Sequence, residues 1–505
     1  MPLLELKNIT KDFPGVRALD GVSFSLEKGE VHALCGENGA GKSTLIKILC
    51  GYYPHGSFSG ELLHDGQPLR FKSLKASEEK GIALIAQELA LVPELSVAEN
   101  LLLGREPTRF GFIQRAKVRE EARKALEMVG LDVDLDRPVR ELGIGQQQMI
   151  EIAKALLKKA QVLVMDEPTA ALTEGDVERL LGLLGRLRAQ GVSFVYISHR
   201  LEVVEKFADR VTVLRDGRSI ETAPLSRFSR DRIISLMVGR EVKNLYPRPQ
   251  TTPGPVVLGV QNIRVPDPAN PGRFVVEGVS FEARQGEILG VAGLMGAGRT
   301  ALLSALFGAA RSKAQGTLTL NGISRPLFSS PRQAIEAGVA LVSEDRKRFG
   351  LVLESSVKEN LILASMRRLV KWGFLDGAAI EKECSAQVTT LGVKTPNLSA
   401  LVNQLSGGNQ QKVVLGKWLM IRPKVLFLDE PTRGISVGSK AEIYELMGRL
   451  AAQGLAIVLV SSDLPELLGL SHRVLVLNQG HVTAQLTAKE ATPERVLAAA
   501  ALKQF

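Results

Sequence analysis

The chain of 505 residues is 45% apolar and 23% charged, too long for one ordinary hydrophobic core, and it has no apolar run near the roughly 18 residues of a membrane span. Its 64 Lys and Arg against 54 Asp and Glu leave a net charge of +10, thinly spread, and the densest basic run, DRKRFG at 345–350, is short, so no nucleic-acid partner is expected. Cys35, Cys50 and Cys384 make no metal spacing and no disulfide framework, and MPLLELKNITKDF lacks the basic start and apolar core of a leader, so a cytoplasmic setting is expected.

In chain order, LLELKNIT (3–10) opens as β-like sequence. EVHALCGENGAGKSTLIKIL (30–49) then holds Gly36, Gly41, Lys42 and Ser43 in the pattern G-x-x-x-x-G-K-[S/T]. VHALC reads as a strand and TLIKIL as a helix, so the glycines turn the backbone and aim N–H groups at phosphates. Lys42 is expected to bridge the β- and γ-phosphates and Ser43 to place its hydroxyl on Mg²⁺. KVREEARKALEMVG (117–130) and QQMIEIAKALLKKA (147–160) repeat apolar residues three and four apart, which predicts helices. The strand VLVMDE (162–167) ends in Asp166, a carboxylate for the Mg²⁺ water shell, and Glu167, placed to orient or deprotonate an attacking water. A further apolar run, VSFVYIS (192–198), leads to His199.

YPRPQTTPGPVV (246–257) carries four prolines and predicts an extended linker, dividing the chain into domains at 1–240 and 256–505 with 241–255 between them. After it the chain is written again. ALDGVSFSLEKGEVHALCGENGAGKSTLIKIL (18–49) aligns with VVEGVSFEARQGEILGVAGLMGAGRTALLSAL (275–306) at a constant offset of 257. LGIGQQQMIEIAKALLKKAQVLVMDEPT (142–169) aligns with LSGGNQQKVVLGKWLMIRPKVLFLDEPT (405–432) at an offset of 263. The alternation of apolar strand and helix in each copy predicts an α/β fold with a mostly parallel sheet.

The order of phosphate loop, glutamine loop, LSGGQ-like signature, DEPT strand and histidine resembles the ATPase domains of ABC transporters, over essentially the whole chain. The resemblance implies two tandem P-loop ATPase domains, each a RecA-like sheet with a β subdomain and a helical subdomain. It implies that Gln87 senses Mg²⁺ and water and couples to a membrane subunit, that His199 is the switch at the γ-phosphate, and that Phe13 stacks on adenine. ATP and Mg²⁺ are the implied cofactors. In that family two such domains clasp head to tail, so one site would combine Gly36, Glu37, Asn38, Gly39, Ala40, Gly41, Lys42, Ser43 and Thr44 with Leu405, Ser406, Gly407, Gly408 and Asn409. The other would combine Gly293, Gly296, Gly298, Arg299 and Thr300 with Leu142, Gly143, Ile144, Gly145 and Gln146.

The second site departs from the pattern on both sides. Arg299 stands for lysine, Glu344 for glutamine and Ser462 for histidine, while Gly143 lacks the hydroxyl of Ser406 and Ile144 replaces a glycine. A guanidinium is too bulky to take the ammonium's place in the loop, and Glu344 needs a metal or DRKR (345–348) to offset its charge beside phosphate. One hydrolytic site and one weak site are expected, although Asp429 and Glu430 survive in the weak one. Thr173 and Ser436, where the family often has aspartate, have no assigned role.

The fused arrangement resembles the ATPase subunit of ribose, xylose, galactose or arabinose importers, with nucleoside importers as close relatives. It implies two copies of a separate permease, an extracytoplasmic sugar-binding protein, and peripheral placement on the cytoplasmic face of the inner membrane. The alternative from another class is a ribosome-associated tandem ATPase, which the short proline-rich linker and the degraded site disfavour. The motifs do not name the sugar.

Overall fold

A computed structural model describes the chain except for Met1, Gly15, Asn38, Gln87, Glu88, Ala170, Ala171, Thr173, His199, Arg200, 240–245, 248–250, Pro271, Met295, Arg311 and 502–505. It divides into two units, Met1–Lys243 and Asn244–Phe505.

In the first unit, alternating burial along Leu4–Phe13 and Val16–Leu26 marks strands with one face inward, and these join Ser59–His64 and Gln67–Pro68 in an antiparallel sheet. The continuous apolar runs behave differently. Val31–Gly36, Ile82–Ile85, Val162–Asp166 and Ser193–Ile197 bury both faces and become parallel strands, the first, third and fourth central and Ile82–Ile85 at one edge, as expected where a sheet is covered on both sides. The six-stranded order runs Arg218–Pro224, Arg210–Arg215, Val31–Gly36, Ser193–Ile197, Val162–Asp166, Ile82–Ile85, and only the first pair is antiparallel. Val162 and Val164 pack toward the antiparallel sheet and the helix Lys42–Leu49, whereas Leu163 and Met165 pack toward the helices on the other side.

Those helices include Val97–Leu102, Arg115–Val129 and Ile144–Leu157. Gly130 ends the second of them in a left-handed cap. The predicted helix at 147–160 starts three residues earlier, so the signature residues form its first turn rather than a loop before it.

The second unit repeats the plan. Its six strands run Val339–Val342, Val425–Asp429, Ala456–Val460, Ile288–Gly293, Arg473–Asn478, His481–Thr487, with an antiparallel sheet of Phe274–Arg284, Val256–Pro266, Gln315–Leu320 and Ile323–Pro326. Part of the proline-rich segment is anchored to this unit. The Tyr246 ring lies 5.5 Å from that of Tyr444, and Thr251 donates to the Gly286 carbonyl at 2.8 Å.

Candidate functional site

Parallel register brings the chemistry to one edge. Asp166 stands opposite Ile197 and Gly36 opposite Leu214, so the phosphate loop and the Asp-Glu pair leave the sheet at the carboxyl ends of its strands, where open α/β sheets bind ligands. In the second unit Asp429 stands opposite Val460 and Gly293 opposite Leu477.

Both loops turn into their helices in the same way. Gly41, at φ 99°, precedes the helix Lys42–Leu49, and a Cβ there would lie 2.6 Å from the Ala18 carbonyl oxygen. Gly298, at φ 93°, precedes Arg299–Leu306, and its Cβ would lie 2.5 Å from the Val275 carbonyl oxygen. Only glycine meets both the left-handed φ and the close approach. Ala40 is buried, Gly39 and Ser43 are exposed, and Glu37 and Thr44 are half-buried at the mouth of the first loop. In the second loop Gly296 and Thr300 are exposed and Gly293 is half-buried.

The cations that follow behave differently. The Lys42 ammonium is buried and donates to the loop's own carbonyls, Gly36 O and Glu37 O, both at 2.8 Å. Burial lowers its pKa, and the charges of Glu167 and Asp166 oppose that shift. Arg299 cannot fold back in this way. Its Nη1 reaches 3.1 Å to the Ser461 carbonyl and its Nη2 lies 3.9 Å from Glu430 Oε1. The longer fork therefore spans the site instead of curling into the loop.

Each Asp-Glu pair is strained in the same way. Glu167 and Glu430 take φ of 50° and 48°, and their N–H groups donate to Ile197 O at 3.0 Å and Val460 O at 2.9 Å. Burial, and then the neighbouring Glu167, raises the Asp166 pKa, while Lys42 and a hydrogen bond from Ser43 lower it. Asp429, 2% exposed, takes the matching bond from Thr300, and its Oδ1 has no hydrogen-bond partner among the described residues. Burial pushes the Glu430 carboxyl up to about 7 against the charge of Arg299. Ser462 donates to Glu430 Oε2 at 3.1 Å, so both carboxylate oxygens face a protein donor. The histidine position of the second unit thus holds a hydroxyl that binds the glutamate of its own unit.

Glu344 is neutralised from an unexpected direction. It pairs with Arg433, just after the DEPT stretch, and not with DRKR. Arg346 of that run instead donates to the Arg433 and Gly434 carbonyls, and Asp345 caps the turn at Arg346–Gly350. Ser436, left without a role by its sequence, caps the helix Val437–Ala452. Glu466 was also missed: wholly buried, it accepts from Thr432 Oγ1 at 2.5 Å and from Tyr444 at 2.9 Å, beneath the second DEPT stretch.

The signature residues form helix N-termini. Ser406 accepts from Asn409 Nδ2 at 3.0 Å as cap of Gly407–Leu419, while in the other copy Gln146 accepts from the Gly143 N–H at 3.2 Å. Gly408 lies directly against Ser439, where a Cβ would come 2.5 Å from the serine Cβ, and a Cβ on Gly145 would sit 2.7 Å from the Asp176 carboxyl group, so the same helix contact crowds this glycine in both copies. A Cβ on Gly407 would lie 2.9 Å from the Arg346 guanidinium and 3.3 Å from the Gly434 carbonyl oxygen, whereas Ile144 stands half exposed at the equivalent place. Phe13 is partly buried, edge-on to Tyr53 at 5.6 Å, with the Lys11 ammonium 5.1 Å from its ring. Asn38, Gln87, Thr173 and His199 lie outside the described residues.

The family model described as "ABC transporter" matches residues 19–170 and 276–433. The xylose import ATP-binding protein XylG of Geobacillus kaustophilus (strain HTA426) is 51% identical over 498 residues, covering 99% of this chain and 98% of that protein. The protein of the same name from Thermoanaerobacter pseudethanolicus is 50% identical, covering 98% of both, and that from Pectobacterium atrosepticum is 47% identical, covering 99% of this chain and 97% of its own.

Proposed function

Because the chain belongs to the ABC transporter family and carries that family's ATPase domain twice, we propose that it is the ATP-binding subunit of a xylose importer, hydrolysing ATP to drive uptake through a separate permease. End-to-end similarity to xylose import ATP-binding proteins carries this reading, and it favours neither a nucleoside importer nor a ribosome-associated ATPase. The partners are two permease copies and, through them, an extracytoplasmic sugar-binding protein. The chain then sits on the cytoplasmic face of the inner membrane; no helix among the described residues is long and apolar enough to cross it.

The first unit is assigned hydrolysis. Lys42 and the loop N–H groups bind the β- and γ-phosphates, and the Ser43 hydroxyl bonded to Asp166 is a pair of hard oxygen donors that suits Mg²⁺. When bound, Mg²⁺ neutralises charge on the phosphates. Glu167 orients the attacking water and takes its proton, with Gln87 and His199 in the roles that family membership implies. Phe13 receives the adenine, and family membership implies that Ser406 to Asn409 present donors for phosphate at their helix N-terminus.

The second unit is assigned nucleotide holding with slow or no turnover. Its loop keeps the glycine turn before the helix, but Arg299 and Ser462 hold the Glu430 carboxylate. In proteoliposomes containing the permease, with the binding protein added, xylose stimulates ATPase activity under this reading and ribose does not. Co-sedimentation with ribosomes and indifference to xylose would overturn it.

A further inference from the structure

Each unit carries one small hairpin that its fold does not explain. Thr108–Arg109 pairs with Phe112–Ile113 across Phe110–Gly111, and Val370–Lys371 pairs with Phe374–Leu375 across Trp372–Gly373. The two share a pattern, cation, aromatic, Gly, Phe, aliphatic, in otherwise different sequence: Arg109-Phe110-Gly111-Phe112-Ile113 and Lys371-Trp372-Gly373-Phe374-Leu375. All these residues are exposed, Phe110 by 89%, Phe112 by 79%, Trp372 by 90% and Phe374 by 81%.

The aromatics are exposed at a conformational cost. Phe110 and Trp372 have φ of 52° and 56°, followed by glycines at 83° and 85°. Such turns call for Asn or Asp before Gly. The chain uses that chemistry elsewhere, at Asp65-Gly66, Asp216-Gly217 and Asn321-Gly322, all with positive φ. A bulky aromatic in the left-handed region is strained, and here it gains no burial in return. The same uncompensated choice occurs in both copies.

We propose that the two tips are bilayer-contacting wedges that insert their aromatic rings at the interface of an anionic lipid surface. Aromatics with an adjacent Lys or Arg are the side chains that settle at headgroup depth, the ring in the acyl boundary and the cation among phosphates. Among the described residues neither Arg109 nor Lys371 has a carboxylate within 4.0 Å; the Arg109 guanidinium stands 5.3 Å from the Phe110 ring, and Lys371 is exposed beside Trp372. Each tip is a convex point presenting roughly 400 Å² of apolar surface, about half of what one partner contributes to a standard protein interface. Lipid insertion gains from each buried ring separately.

The test uses the full-length chain and vesicles without permease, so it is independent of the importer reading. The protein is expected to float with phosphatidylglycerol/phosphatidylcholine vesicles, and brominated acyl chains to quench Trp372, while Trp418, packed 5.5 Å from the Phe307 ring, is not quenched. Phe110→Asn with Trp372→Asn is expected to lower partitioning at least about tenfold. Asparagine is at home at these φ values, so the unfolding midpoint should hold or rise and ATPase activity should be unchanged. Arg109→Glu with Lys371→Glu should weaken binding to anionic vesicles and leave binding to neutral ones unaltered. The proposal is overturned if the wild type does not float, if the double asparagine variant floats as well as the wild type, or if flotation requires permease in the vesicles.

Discussion

At the residue scale the two phosphate loops show how one substitution changes the reach of a cation while the glycine turn before it stays the same. Lys42 ends on the carbonyls of Gly36 and Glu37, whereas Arg299 ends beside Glu430 and Ser461. Replacing Arg299 by Ala should therefore free a carboxylate rather than remove a phosphate ligand, and ATP turnover of the whole protein should fall less than twofold. The signature glycines make a second, structural prediction. Gly408→Ala forces a methyl group into Ser439 and should destabilise the second unit by about 1–3 kcal/mol in urea unfolding. Ser439→Gly in the same chain should restore most of that loss, which a purely phosphate-facing role for Gly408 would not allow.

At the scale of elements, most of the fold was legible because the chemistry-bearing segments are also the most strongly patterned. Continuous apolar runs such as VLVM and IVLV became buried parallel strands, and the repeat located the second set of strands from the first. The side-chain pairs that decide the second site were not legible. Glu344 with Arg433 is an 89-residue separation and Glu430 with Ser462 a 32-residue one, and such pairs are set by which strand ends meet at the sheet edge, not by local spacing. The hairpin tips were missed because two-residue strands carry no periodicity.

One element also makes a pH prediction. His32, on the strand that feeds the first phosphate loop, is wholly buried against Thr212, and burial, with the charge of Arg210, holds its pKa down at about 3 from an ordinary 6.5. The unfolded chain binds this proton below pH 6.5 and the folded chain does not until about pH 3. Stability of the first unit is therefore lost as pH falls through that window, by about 1.4 kcal/mol per pH unit from this group. His32→Gln should flatten that part of the acid limb in urea unfolding from pH 6.5 to 4.5. An unchanged slope would remove His32 as its cause.

At the scale of the molecule, the scaffold occurs twice, and the proposed hydrolytic residues are all present in the first copy's sequence only. Both units retain the sheet order, the glycine turn before the phosphate-loop helix and the left-handed glutamate, features that shape a nucleotide pocket. They differ in groups that bear on charge: lysine against arginine at the loop, and a serine holding the second glutamate. Division of labour, one unit turning over ATP and the other holding it, is the central claim. The most direct measurement is steady-state ATPase activity of Glu167→Gln beside Glu430→Gln in the same assembled transporter. The account predicts a loss of at least about a hundredfold for Glu167→Gln and retention of more than half the activity for Glu430→Gln, and equal losses in the two variants would contradict it.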